Sequence, residues 1–549
     1  MPRSGQPGGG LGGSGSVDVA GRVRAAFDRL AEVDRPDVWV TLRDRDAVLA
    51  DARAVAARLD AGEVLPLAGM LVAVKDNIDV AGVPTTAGCP AFAFTPGTSA
   101  SVVCRLCSAG AVVLGKTTLD QFATGLAGSR TPAGPVRSAV DPDRVAGGSS
   151  AGSAVAVALG VVDVALGTDT AGSGRVPAAF NGIVGLKPTR GLVPATGVVP
   201  ASPSYDCVSV LARRLDPARR ALAAILGPDS GDPRSRAWPP SARLAAGPRP
   251  RLGVPDDTGL APLSPAARAT FDSAVAVYTA AGAVVERVDI TPLTEASALY
   301  GTVMLAERAA AVGEFLAAHR DEVDPVVASV VLAAGDLPAA RLAADLDRLA
   351  GLAAEVAPLW RRHDALLLPT VPEHPTIAAV LADPVVVPAR LGRYAAFANL
   401  LDLAAVAVPA GTADGGPFGV SVLVPAFADQ VALDVAAVLT DEPELEPYPV
   451  PALDLVVFGP RPPAVLVELG ARPMGPVRTT PGYRGVPAPT DLAVAALHAP
   501  GGGSLAGERW RLPPAALDGL LAALPPGVAL GPLELADGTP AVAPLAVSR

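Results

Sequence analysis

Between positions 65 and 189 the chain repeats one texture: a short apolar run, a turn marked by Gly or Pro, then residues at helical spacing. The apolar runs are GMLVAVKDNIDV (69–80), AVVLGKTT (111–118), VDVALGTD (162–169) and GIVGLKPT (182–189). Short apolar segments alternating with helical stretches such as Ser150–Leu159 predict an α/β core, a mixed twisted sheet flanked by helices. The rest of the chain extends this core. Residues 17–62 alternate charged and apolar groups at helical spacing and predict two amphipathic helices. Residues 264–360 are Ala-rich and helical in pattern, and DALLLPTVP (364–372) and LAAVAVPAG (403–411) return to buried strands. The Pro-rich acidic stretch 440–452 reads as a linker, which leaves 453–549 for a small C-terminal α+β domain, while the Gly-rich residues 1–16 read as a disordered tail.

A formal net charge of −10 argues against non-specific nucleic-acid or anionic-membrane binding. The longest apolar run, Ala154–Val162, is too short to cross a bilayer. A soluble, cytoplasmic protein is expected, with no membrane or nucleic-acid partner. Cys104 and Cys107 form a C-x-x-C without a second pair or nearby histidines, so neither a metal nor a cofactor is expected. Their spacing predicts thiols on or near a buried helical face.

The chemistry concentrates around GTDTAGSGRVPAAF (167–180), where Ser173 sits between two glycines. The four histidines, His319, His363, His374 and His498, all lie more than a hundred residues away in sequence. Lysine offers another base. Of 44 basic residues only three are lysine, Lys75, Lys116 and Lys187. In so arginine-rich a chain the surviving lysines mark places where arginine cannot serve, because a desolvated lysine can lose its proton near pH 7 and arginine cannot. Lys75 ends an apolar strand in AVKDNIDV. AGGSSAGSAVAVALG (146–160) brings glycines and serines to a helix start, and Thr170, Ala171, Gly172 and Ser173 can turn successive N–H groups inward as an oxyanion hole. Taken singly, these have ordinary readings: a strand-end lysine reaching solvent, a helix N-cap, a Gly-Ser loop.

In this order and spacing, with Ser149 74 residues after Lys75 and Ser173 a further 24 on, the set resembles the Ser-cisSer-Lys triad of the amidase signature family. The resemblance spans roughly residues 65–435, with the signature core at 65–210. It implies Ser173 as nucleophile, Ser149 as a bridging serine after a cis Gly148–Ser149 bond, and Lys75 as base. KDNIDVAGVPTTAGCPAFAFTP, GKTTLDQFATGLAGSRTP and SYDCVSV resemble the allophanate hydrolase branch of that family, as does LYGTVMLAER (299–308). That closer resemblance implies Tyr300, Arg308 and Gly125 in the substrate site, with the helical region 264–360 recognising substrate. Tyr300 and Arg308, eight residues apart, face broadly the same way on an α-helix. An arginine pairing bidentately with the carboxylate of allophanate makes physical sense; a surface ion pair of Arg308 with Glu307 or Glu314 is the alternative. The implied activity is hydrolysis of allophanate to ammonia and carbon dioxide by a homodimer, after a biotin-dependent urea carboxylase. Competing readings are an amidase for another small amide (biuret-like or a carboxyguanidine), a component of a tRNA-dependent amidotransferase, and a non-catalytic assembly subunit. ELGARPMGPVRTTPGYR (468–484) resembles the C-terminal domain of that branch; it is expected to be structural, with His498 in a solvated loop.

Overall fold

Eleven short strands build the larger of two sheets: β1 (Trp39–Leu42), β2 (Leu71–Lys75), β3 (Val112–Thr117), β4 (Val164–Asp169), β5 (Val184–Lys187), β6 (Cys207–Ala212), β7 (Arg251–Pro255), β8 (Val284–Val288), β9 (Ala365–Pro369), β10 (Ala404–Ala413) and β11 (Gly416–Val424). The computed structural model describes residues 17–442, 445–459, 464–487, 494–499, 501–525 and 528–546; the tail expected at 1–16 and part of the linker expected at 440–452 lie outside them. The spatial order is β1-β3-β2-β4-β6-β5-β10-β11-β9-β7-β8. Pairing is mixed: β2 runs parallel to β3 and β4, and β7 to β8 and β9, while β4–β6 and β10–β11 are antiparallel.

Every residue of β2 to β6 is buried, which is why these strands read as continuous apolar runs rather than alternating ones. The two-residue period of the strand sends alternate side chains to two cores. Val72, Val74 and Leu166 pack with helices Leu215–Ile225, Pro265–Ala280 and Asp429–Thr440. Leu71, Ala73 and Ala165 pack with Val19–Val33, Arg45–Asp60 and Ala151–Ala158 on the other face. The region 264–360 carries five helices of eight or more residues, but β8 interrupts them. Its pattern is mostly exposed, so it lacks the apolar run that marks the inner strands.

The C-x-x-C departs from expectation. Helix Ser101–Ser108 buries Val102, Val103 and Leu106, and Cys104 and Cys107, three residues apart, fall together on its exposed side. A second sheet holds β12 (Leu453–Val457), β13 (Arg472–Arg478), β14 (Tyr483–Pro487), β15 (Val494–His498), β16 (Ala506–Leu512), β17 (Val528–Glu534) and β18 (Pro540–Ala546). Tyr448 and Val450, in the stretch expected as a linker, are buried in the main core. Arg472 clamps the two parts, donating to Asp434 at 2.7 Å and to the Leu244 and Leu445 carbonyls. His498 ends a strand, edge-on to Tyr483, rather than sitting in a loop. Among the described residues no single helix is long and apolar enough to cross a membrane.

Candidate active site

The site grows from the C-terminal ends of two adjacent parallel strands. Lys75 is the last residue of β2, and Val74 lies opposite Leu166 of β4, so Lys75 meets the Gly167–Asp169 end of that strand. Its side chain is fully buried, and Nζ donates to Ser149 Oγ at 2.8 Å and to Thr168 Oγ1 at 2.6 Å. Burial pulls Lys75 down to about 7, against the Asp120, Asp206 and Asp169 carboxylates, which favour its charged form. The Gly148–Ser149 peptide is cis. Asp120 supports it: the Asp120 N–H donates to Ser149 O, and its carboxylate accepts from Gly128 and Arg130 N–H. The helix that follows is not capped by a serine side chain; Ser150 Oγ instead bonds Thr168, stapling the helix start to β4.

Ser173 stands on the loop leaving β4. Asp169 folds that loop by accepting from the N–H groups of Gly172, Gly174 and Arg175, at 2.9, 3.1 and 3.2 Å. The Arg175 guanidinium binds the same carboxylate twice at 2.9 Å, and Asn399 reaches in to donate to Asp169 O and Tyr205 O. Burial alone would raise the Asp169 carboxyl, but Arg175 outweighs it and holds it at about 2. Gly172 turns the chain at φ +118°, where a Cβ would meet the Ala395 Cβ at 2.6 Å. Its N–H is spent on Asp169, so it leaves the expected oxyanion set. The N–H groups of Thr170, Ala171 and Ser173 have no acceptor among the described residues, and all three residues line one cavity. No hydrogen bond links Ser173 Oγ to Ser149 Oγ, a contact that often tightens only with substrate bound.

That cavity, of about 420 Å³, also brings together Gly125, Tyr300 and Arg308. Gly125 has φ +155°, and a Cβ there would meet Asp120 Oδ2 at 2.7 Å. Tyr300 begins a π-turn, Tyr300–Met304, rather than a continuous α-helix, and Arg308 lies in the following helix, Leu305–Ala318. The Arg308 Nη1 group donates to Tyr300 Oη at 2.9 Å and Nε to Ala201 O at 3.3 Å. Arg308 is 1% exposed, and among the described residues no carboxylate lies within 4.0 Å of it. The alternative of a surface ion pair fails: Glu307 instead accepts from the Ser204 N–H.

A model of the family described as Amidase matches residues 22–433. The chain belongs to the amidase family. A second model, the allophanate hydrolase C-terminal domain, matches residues 460–547. Over 414 residues the amidase is 41% identical to a urea amidolyase of Saccharomyces cerevisiae, covering 74% of this chain and 22% of that protein. The chain therefore spans about a fifth of that relative's length. A urea amidolyase of Lachancea kluyveri is 42% identical over 377 residues, covering 68% of this chain and 20% of that protein. An allophanate hydrolase structure from Kluyveromyces lactis superposes with a TM-score of 0.86 at 32% identity, covering 96% of this chain and 93% of that chain.

The other two lysines of this amidase are also buried, for a different reason. Lys116 pairs with Asp76 at 3.0 Å, and Lys187 donates to Pro188 O and Cys207 Sγ. Among the described residues no histidine lines the cavity. Sequence reasoning missed Asp169, Arg175 and Asn399 under the Ser173 loop, and Asp120, Thr168 and Asp206 around it. The Asp-Thr-Ala-Gly turn signal was available for Asp169; nothing local marks Asn399, which comes from 230 residues away.

Proposed function

We propose that this amidase hydrolyses allophanate through Ser173, Ser149 and Lys75. The observation that carries the substrate class is Arg308: a buried guanidinium without a carboxylate partner among the described residues, in the cavity that holds Ser173. A buried charge of this kind calls for an anion, and the fork of arginine matches a carboxylate. With allophanate held by Arg308 and Tyr300, the terminal amide carbonyl faces Ser173. Lys75, poised near pH 7, is neutral in a large fraction of molecules and accepts the Ser149 proton as Ser149 takes that of Ser173. The Ser173 oxygen bonds the carbonyl carbon, and the free N–H groups of Thr170, Ala171 and Ser173 bind the developing oxyanion. The relay returns the proton to the leaving nitrogen, ammonia departs, and water cleaves the acyl-enzyme to N-carboxycarbamate, which takes up two protons and decomposes to a second ammonia and two molecules of carbon dioxide.

In this reading the enzyme acts in the cytoplasm as a homodimer, on the product of a biotin-dependent urea carboxylase. Purified protein given allophanate or propionamide separates the alternatives. Allophanate should release ammonia with a kcat/KM at least about a hundredfold above that for the uncharged amide. Equal rates would assign a general amidase, and no ammonia from either would assign an assembly subunit.

A further inference from the structure

Residues 201–206 form a tight turn in which the N–H groups of Tyr205 and Asp206 donate to Ser202 O. The Asp206 carboxylate closes the turn by accepting from the N–H groups of Ala201, at 2.9 Å, and Ser202, at 3.1 Å. It also accepts from Thr170 Oγ1, at 2.5 Å, on the nucleophile loop. The turn in its own right grips the anion-anchoring segment. Ala201 O accepts from Arg308 Nε, Ser202 Oγ donates to Met304 O at 2.8 Å, and Ser204 N–H donates to Glu307. Met304 ends the π-turn that begins at Tyr300.

We propose that Asp206 is a positioning residue that fixes the distance between the oxyanion-binding loop and the Arg308 anchor, so that a substrate whose carboxylate is held by Arg308 places its amide carbonyl against the Thr170, Ala171 and Ser173 N–H groups. This rests on the proposed reading of the site and adds a residue that never touches substrate. Two hydrogen-bonded arms leave one carboxylate, Thr170 on one side and the 201–204 turn on the other. Attack and anchoring are therefore set together. The same charge acts on the base: the groups facing Lys75 are the Asp120, Asp206 and Asp169 carboxylates, which favour its ammonium, and Arg308, which opposes it.

The test uses the full chain, with kcat and KM measured separately on allophanate and propionamide across pH 6–9. Thr170→Val cuts only the loop arm and should lower kcat about tenfold or more on both amides with KM unchanged. Ser202→Ala cuts the tie to Met304 and should raise KM for allophanate several-fold, leaving propionamide unaffected. Asp206→Asn should do both and move the acid limb of the profile to lower pH, because Lys75 then loses its proton more easily. If Thr170→Val and Ser202→Ala give the same pattern, or Asp206→Asn lowers thermal stability alone, the inference is overturned. Those two single variants keep the test decisive should Asp206→Asn fail to fold. Wild-type enzyme that does not prefer allophanate would overturn the underlying function instead.

Discussion

Replacing Lys75 by Met should abolish activity and make the protein more stable. Burial lowers Lys75 from 10.5 to about 7, and at about 1.4 kcal/mol per pH unit that difference is roughly 5 kcal/mol against the native state. Above pH 10.5 the amine is neutral whether folded or unfolded, and the penalty vanishes. As pH falls toward 7 the unfolded chain holds a proton that the native site gives up, so the penalty grows, and below 7 it is complete. Methionine fills similar space without charge, but it strands Ser149 Oγ, which accepts from Lys75 at 2.8 Å, and leaves Thr168 Oγ1, which accepts from Lys75 at 2.6 Å, with only the Asn77 amide at 3.4 Å. Losing those partners costs about 1–3 kcal/mol. The net expectation at pH 7 is a gain of about 1–3 kcal/mol, read as a raised urea midpoint with an unchanged denaturant slope. At pH 9.5 most of that gain should be gone. A variant less stable than wild type at pH 7, or an advantage that does not shrink with pH, would refute the buried, readily deprotonated lysine.

Arg308→Ala should lose roughly 2–5 kcal/mol of transition-state stabilisation for allophanate and little for propionamide, measured as kcat/KM; equal losses would make Arg308 structural. Asp169→Asn leaves the Arg175 guanidinium buried without its partner and should destabilise by about 3–5 kcal/mol, with denaturant unfolding as the readout. In wild type the Asp169 contribution is fully present above pH 3.8 and is lost as pH falls through about 2, because the folded carboxyl is held down. A chain ending at Pro449 loses the Arg472 clamp and should melt earlier while still releasing two ammonia per allophanate; one ammonia, where spontaneous decay is slow, would make the C-terminal domain catalytic.

Local pattern carried the parts of this enzyme that depend on neighbours in sequence. The inner strands were legible because a strand buried on both faces must be apolar throughout, and β8 was not, because it sits at the sheet edge with most of its side chains in water. The apolar spacing around Cys104 identified a helix but placed the thiols on its wrong side. Lys75 stood out through the scarcity of lysine, a signal that also picked Lys116 and Lys187, whose burial answers to Asp76 and to backbone and thiol partners. Alpha-helical spacing says only that Tyr300 and Arg308 face broadly the same way; a π-turn starts at Tyr300, and a hydroxyl–guanidinium bond joins the two across it. Asn399 and the Asp206 turn were invisible because their partners are joined only by tertiary folding.

A lysine that gives up and takes back a proton is central to the proposed mechanism, and kcat on allophanate for Lys75→Arg tests it most directly. Arginine keeps the charge and the donors but cannot act as a base. The prediction is a loss of at least about a thousandfold, with binding of allophanate retained. Activity within about tenfold of wild type would contradict the relay through Ser149 to Lys75.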